Sequence, residues 1–252
     1  MARIQRQELK HDEFIDTLDA ALLWVEDRWR SLLALALIAV AGGGSVGGLY
    51  WWSQRQEERA SAALLEALMT YQAPVQAGLP PLPGEGAQKS FPSEREKYQA
   101  ALKEFTQVHS EYPRTQAGLM AGHYQALCQD QVGDTQAAVA TLEELIHTRN
   151  ANAAAGAKLT LAGFYQKLGK PKDAEKLYRE LAEKPTETVP KGLALLELAA
   201  LKAQDDPSEA RRLLNQVKIE YADTEIAAEA TRRMELLPAP PPAGPAPAPA
   251  QP

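Results

Sequence analysis

Apolar residues fall into two regimes along this chain. Between Leu32 and Trp52 they run almost unbroken (LLALALIAVAGGGSVGGLYWW), and no Asp, Glu, Lys or Arg stands between Arg30 and Arg55. Elsewhere they return at steps of three and four, the spacing that gathers side chains on one face of an α-helix. Roughly twenty residues at about 1.5 Å of rise each span about 30 Å, the thickness of a bilayer's hydrocarbon core. Trp24 and Trp29 stand near one end of the run, with Tyr50, Trp51 and Trp52 at the other, where amphipathic rings meet lipid headgroups. The pattern predicts a transmembrane helix over residues 32–52. Ahead of it, Ile15, Leu18, Leu22, Val25 and Trp29 form one stripe. Residues 1–31 therefore read as an amphipathic arm, lying on the membrane surface or packed on a partner subunit.

Beyond the span, residues 53–92 divide into a membrane-proximal helix and a Pro/Gly-rich loop. Ala60, Leu64, Leu65, Leu68 and Tyr71 give the helix an apolar side, and Pro74 ends it, because the residue before a proline is pushed out of helical geometry. Residues 74–92 (PVQAGLPPLPGEGAQKSFP) show no period and read as a loop. Ser93 with Glu96 three residues on is a capping box, which opens the next helix and begins a domain over 93–237.

That domain repeats itself. Ala138, Ala174 and Ala210 are thirty-six residues apart, as are Leu142, Tyr178 and Leu214, and again Leu145, Leu181 and Val217. A turn precedes each of these helices, at 132–135, 168–171 and 205–208, and an alanine-rich helix precedes each turn, at 117–131, 154–168 and 190–204. Asp134, Lys170-Pro171 and Asp206-Pro207 supply helix-start chemistry. A single helix pair cannot cover its own apolar face, but stacked pairs cover one another. Residues 224–237 read as the helix that closes the stack, with Arg232 and Arg233 exposed, and the tail 238–252 (PAPPPAGPAPAPAQP) as a disordered spacer. The expected fold is all-α: one transmembrane helix followed by an α-solenoid.

The unit Leu161-Ala162, Tyr165, Ala174, Tyr178 and Leu181 resembles the tetratricopeptide repeat, as do Ala101, Phe105, Val108 and Pro113 of an earlier second helix. The family's hallmark Trp is missing and Gln129 stands where a Tyr is expected. The resemblance implies a concave surface formed by the first helices. It places Met120, His123, Leu127, Gly156, Leu159, Gly163, Gln166, Leu195 and Ala199 near that surface, as a groove for a helix or extended peptide. Any one of these could instead pack between repeats. Inside the span, Gly43 and Gly47, and Gly44 and Gly48, form small-residue faces on which another membrane helix could pack.

Composition narrows the chemistry. A formal charge of −6 and a pI near 5.4 argue against a nucleic-acid partner, since phosphate binding needs clustered Lys and Arg. The single cysteine, Cys128, cannot form an intrachain disulfide and falls at a packing position of the repeat. His11, His109, His123 and His147 are scattered, with His109 and His147 expected in solvent. No metal-site spacing, nucleophile elbow, phosphate loop or dinucleotide fingerprint is present, so the sequence predicts no enzyme activity, cofactor or small-molecule substrate. Ala39-Val40-Ala41 resembles a signal-peptidase site, but the acidic thirty-residue segment before it is unlike a signal peptide.

Arg3, Arg6, Lys10, Arg28 and Arg30 precede the span, against Arg55 and Arg59 just after it, which favours a cytoplasmic N-terminus and a repeat domain outside. This architecture, together with His11-Asp12-Glu13-Phe14 ahead of the span, resembles the ancillary subunit family of the SecYEG translocon over residues 8–236. The resemblance implies an inner-membrane, single-pass protein whose partners are the lipid bilayer, the translocon and periplasmic chaperones. A structural subunit of another cell-envelope complex, or a regulator facing the cytoplasm, fits the same architecture.

Overall fold

The computed structural model describes residues 28–31, 33, 48–75 and 89–238, and the chain divides into two units, residues 1–56 and 57–252. In the first unit, residues 28–31, 33 and 48–56 are helical. Trp29, Leu33, Leu49, Tyr50, Trp51 and Trp52 are all exposed there, and the Arg55 guanidinium lies 4.3 Å from the centre of the Trp51 ring. Residues 34–47, which hold most of the predicted span together with Gly43, Gly44 and Gly47, lie outside the described residues. Among the described residues no helix is long and apolar enough to cross a membrane.

The second unit is a succession of helices in chain order. We label them α1 (57–71), α2 (Glu94–Glu111), α3 (Gln116–Gln131), α4 (Thr135–Leu145), α5 (Ala151–Lys167), α6 (Pro171–Glu183), α7 (Lys191–Lys202), α8 (Pro207–Glu220) and α9 (Glu225–Glu235). From α2 onward each packs on the next, and α3 also meets α5 while α7 meets α9. The β-type pairing among the described residues is one isolated parallel bridge, Val75 with Phe91, which closes the base of the proline-rich loop. Lys89 secures the same place, donating to Thr70 Oγ1 at 2.9 Å and to Glu104 Oε1 at 2.9 Å.

The thirty-six-residue register is the register of the core. Ala138, Ala174 and Ala210 are fully buried, and Leu142, Tyr178, Leu214, Leu145, Leu181 and Val217 are buried with them. Ala101, Phe105 and Val108 repeat the pattern in α2. The turns expected before the second helices are present. Gly133 and Gly169 have φ of 97° and 69°, a left-handed geometry that glycine adopts without a Cβ clash. Asp134 and Asp206 then cap α4 and α8 by accepting from Ala137 N–H and Glu209 N–H. Ser93 caps α2 in the same way through Glu96 N–H.

Two differences from the sequence reading are instructive. α5 begins three residues earlier than expected, because Asn150 accepts from Ala153 N–H and starts the helix at Ala151. Arg233 is not a free surface cation. It is half-buried, donates to the Leu196 carbonyl at 3.0 Å, and pairs with Glu229 and Glu197, fastening α9 to α7.

α3 packs on both sides. Ala117, Ala121 and Cys128 face a cluster with Ala60, Leu64 and Ala67 of α1 and Phe105 of α2, while Leu119 and Ala126 belong to the larger core that runs on to α9. Small residues make this possible, since a helix sandwiched between neighbours needs short side chains on two faces. Cys128 is fully buried, and burial pushes its thiol up to about 12.

Candidate protein-binding groove

α3 and α5 are the first helices of successive units, and a groove of about 400 Å³ runs between them. One wall is the α3 stripe Met120, His123, Tyr124 and Leu127, at helical steps of three and four. The other is Ala153, Gly156, Leu159 and Thr160 of α5. Gln116, Asn150 and Asn152 border the end near the helix N-termini, and Thr188 and Val189 reach in from the loop before α7. No charged side chain lines it.

The α3 wall is backed by aromatic packing. Tyr124 stacks on Phe105 with ring centres 5.2 Å apart and meets Tyr71 edge-on at 5.3 Å, so the groove wall is anchored in the α1–α2–α3 cluster. His123 Nε2 lies 3.4 Å from Thr160 Oγ1 across the groove. Burial lowers the His123 pKa, which keeps the ring neutral at pH 7. Gly156 leaves room where a side chain would stand: a Cβ there would meet only Thr188, at 3.7 Å.

Of the nine residues placed near the concave surface by sequence, Met120, His123, Leu127, Gly156 and Leu159 come together here. Gly163 lies further along α5, with open space beside it. Gln166 is exposed and donates to the Tyr178 hydroxyl at 2.7 Å. Leu195 and Ala199 are corrections to the expected surface. They are 5% and 1% exposed and belong to the core, because α7 is covered on that face by its neighbours. Gly48 is helical with nothing within 4 Å of its missing Cβ.

Tyr124, Asn152 and Thr160 lay one helical step beside predicted residues and were legible in principle from the same periodicity. Thr188 and Val189 were not, because they sit in an aperiodic loop that only folding brings to α5. His109 departs from its expected solvent position. Its Nδ1–H donates to the Gly118 carbonyl at 2.8 Å, and its ring lies over Gly122. His147 is exposed as expected. Among the described residues no group of His, Cys, Asp and Glu is arranged to hold a metal ion.

Two crystal structures of nearly identical TPR-like repeats, from a protein described as a kinesin light chain of Podosopora anserina, superpose on this chain with TM-scores of 0.52 and 0.51. The fold is a TPR-like solenoid. Sequence identity is 18% and 17%, over 71% of this chain and 84% of each of theirs, so the likeness carries the architecture alone. No family model and no curated protein matches the sequence. The helix pairs read from the thirty-six-residue period are therefore TPR-like in three dimensions as well as in pattern.

Proposed function

We propose that this chain is a membrane-tethered protein-interaction scaffold, holding an apolar peptide segment of a partner in the α3–α5 groove. The observation that carries the reading is the lining of that groove: Met120, Leu127 and Leu159 beside amide and hydroxyl side chains, with no charge. Apolar side chains of a bound segment would fill the floor, and Gln116, Asn150 and Asn152 would pair with its backbone. Tethering rests on the apolar run over 32–52 and its flanking aromatics, of which Trp29, Tyr50, Trp51 and Trp52 are exposed in the described part of the first unit.

Within that reading, the sequence resemblance supports an accessory of the Sec translocon in the inner membrane, linking it to periplasmic chaperones. Leu127→Glu with Leu159→Glu places two carboxylates in the groove, where burial of charge is costly. In mild detergent the double variant should lose co-purifying partner proteins at least tenfold while keeping its helical circular-dichroism spectrum. Undiminished recovery of partners would remove the groove from the function. Recovery of envelope subunits other than SecY or chaperones would remove the translocon assignment and leave the scaffold.

A further inference from the structure

The groove does not end at Asn150. That residue also borders a second cleft, of about 440 Å³, into which Arg114, His147 and Arg149 project beside Leu119. The two arginines hold the same place in successive units, one residue before Thr115 and Asn150, the N-caps of α3 and α5. Both are exposed, and among the described residues neither makes an ion pair. Elsewhere in the repeats Lys158, Arg179, Lys202 and Arg233 are each held by a carboxylate. No Asp or Glu lines this cleft, although the chain carries a net charge of −6. A locally cationic cleft therefore adjoins a neutral apolar groove, and one ligand could lie along both.

We propose that Arg114 and Arg149 receive carboxylate side chains of the peptide whose apolar residues occupy the α3–α5 groove. The recognised segment is then a run of apolar residues followed by Asp or Glu, an inference that rests on the groove reading above. Guanidinium groups suit this role, since their planar fork can hold a carboxylate through two parallel N–H bonds. Rim charges contribute modestly and are screened by salt, so the acidic part sets selectivity more than affinity.

The test uses the full chain in detergent micelles and two fluorescein-labelled, C-terminally amidated decapeptides. They share one alternating Leu/Ser run; one ends in Glu-Asp-Glu and the other in Gln-Asn-Gln. By fluorescence anisotropy at low salt the acidic peptide should bind about three- to tenfold more tightly, an advantage that fades as sodium chloride screens the rim. R114Q/R149Q should abolish that advantage and leave the affinity for the amide peptide unchanged. Equal affinities for the two peptides, both lost in L127E/L159E, would overturn the arginine site and leave the groove standing. An advantage that survives in R114Q/R149Q overturns it as well. Failure of the wild-type chain to bind either peptide overturns both readings. Phosphatidylglycerol vesicles that displace the acidic peptide from the wild-type chain but bind R114Q/R149Q no better than neutral vesicles would make the arginines a lipid site, against the proposal.

Discussion

Gly118 sits where α3 leaves its N-cap, with the Tyr112 carbonyl directly over it and its own amide donating to Thr115 Oγ1. A Cβ would run into that carbonyl, which is backbone and cannot swing aside. Gly118→Ala should lower stability by about 1–3 kcal/mol, the usual cost of overpacking. Gly163 is the opposite case: open space surrounds it mid-helix, so Gly163→Ala should raise stability by roughly 0.5–1 kcal/mol through helix propensity. Thermal unfolding of the two variants side by side checks both signs. His123 gives a pH-dependent prediction. Its folded pKa is depressed below the ordinary value near 6.5, so the unfolded chain takes up the proton first. Its stabilising effect is complete above that value and is lost as pH falls through the folded pKa. His123→Gln should flatten the decline of Tm below about pH 6.5, in a window above the titration of Glu175 and Glu209, whose pKa values are lowered by hydrogen bonds from Lys202 and Arg212.

At the scale of elements, α3 begins with a cap borrowed from another helix. Glu57 of α1 accepts from the N–H groups of Gln116 and Ala117, both at 2.9 Å, placing a carboxylate at the positive end of the α3 dipole. Glu57→Ala should cost about 1 kcal/mol in denaturant unfolding, as loss of a cap does, while Glu58→Ala, an exposed neighbour, should stay within about 0.5 kcal/mol. Equal effects would reduce the contact to an incidental one. The seam α6–α7–α8 is laced differently, by Glu175 to Lys202 and Arg179, with Arg179 also near Glu209. These pairs are partly exposed, so they align helices whose attachment comes from buried Leu177, Leu198 and Leu213.

For the molecule as a whole, the repeat explains how the second unit, with nine helices among its described residues, builds a continuous buried face from short pieces. Each pair buries the face its neighbour leaves open, and α9 closes the far end with Arg232 turned to solvent and Arg233 turned inward. The proposed tether makes a topological prediction. The full-length product should sediment with membranes and be released by detergent but not by salt. External protease on spheroplasts should digest the repeat unit and spare the arm at 1–31. A repeat unit that stays protected would reverse the orientation, and a product soluble without detergent would end the tethered reading.

The helices, their turns and the buried register could be read from the chain, because a thirty-six-residue period repeats the same local chemistry: an apolar step of three and four, a turn, a cap. Tyr178 and Leu142 were placed in the core by the same rule that placed Ala138 and Ala174. The family resemblance misplaced Leu195 and Ala199, and a solvent position did not hold for His109, because their environments depend on how closely one helix approaches the next. Local periodicity tells which face of a helix is apolar, but not whether that face meets a ligand or a neighbouring repeat. Glu57 capping a helix some sixty residues away, and Arg114 joining Arg149 in one cleft, are products of stacking alone. Sequence spacing carries no distance between residues so far apart; the packed solenoid supplies it.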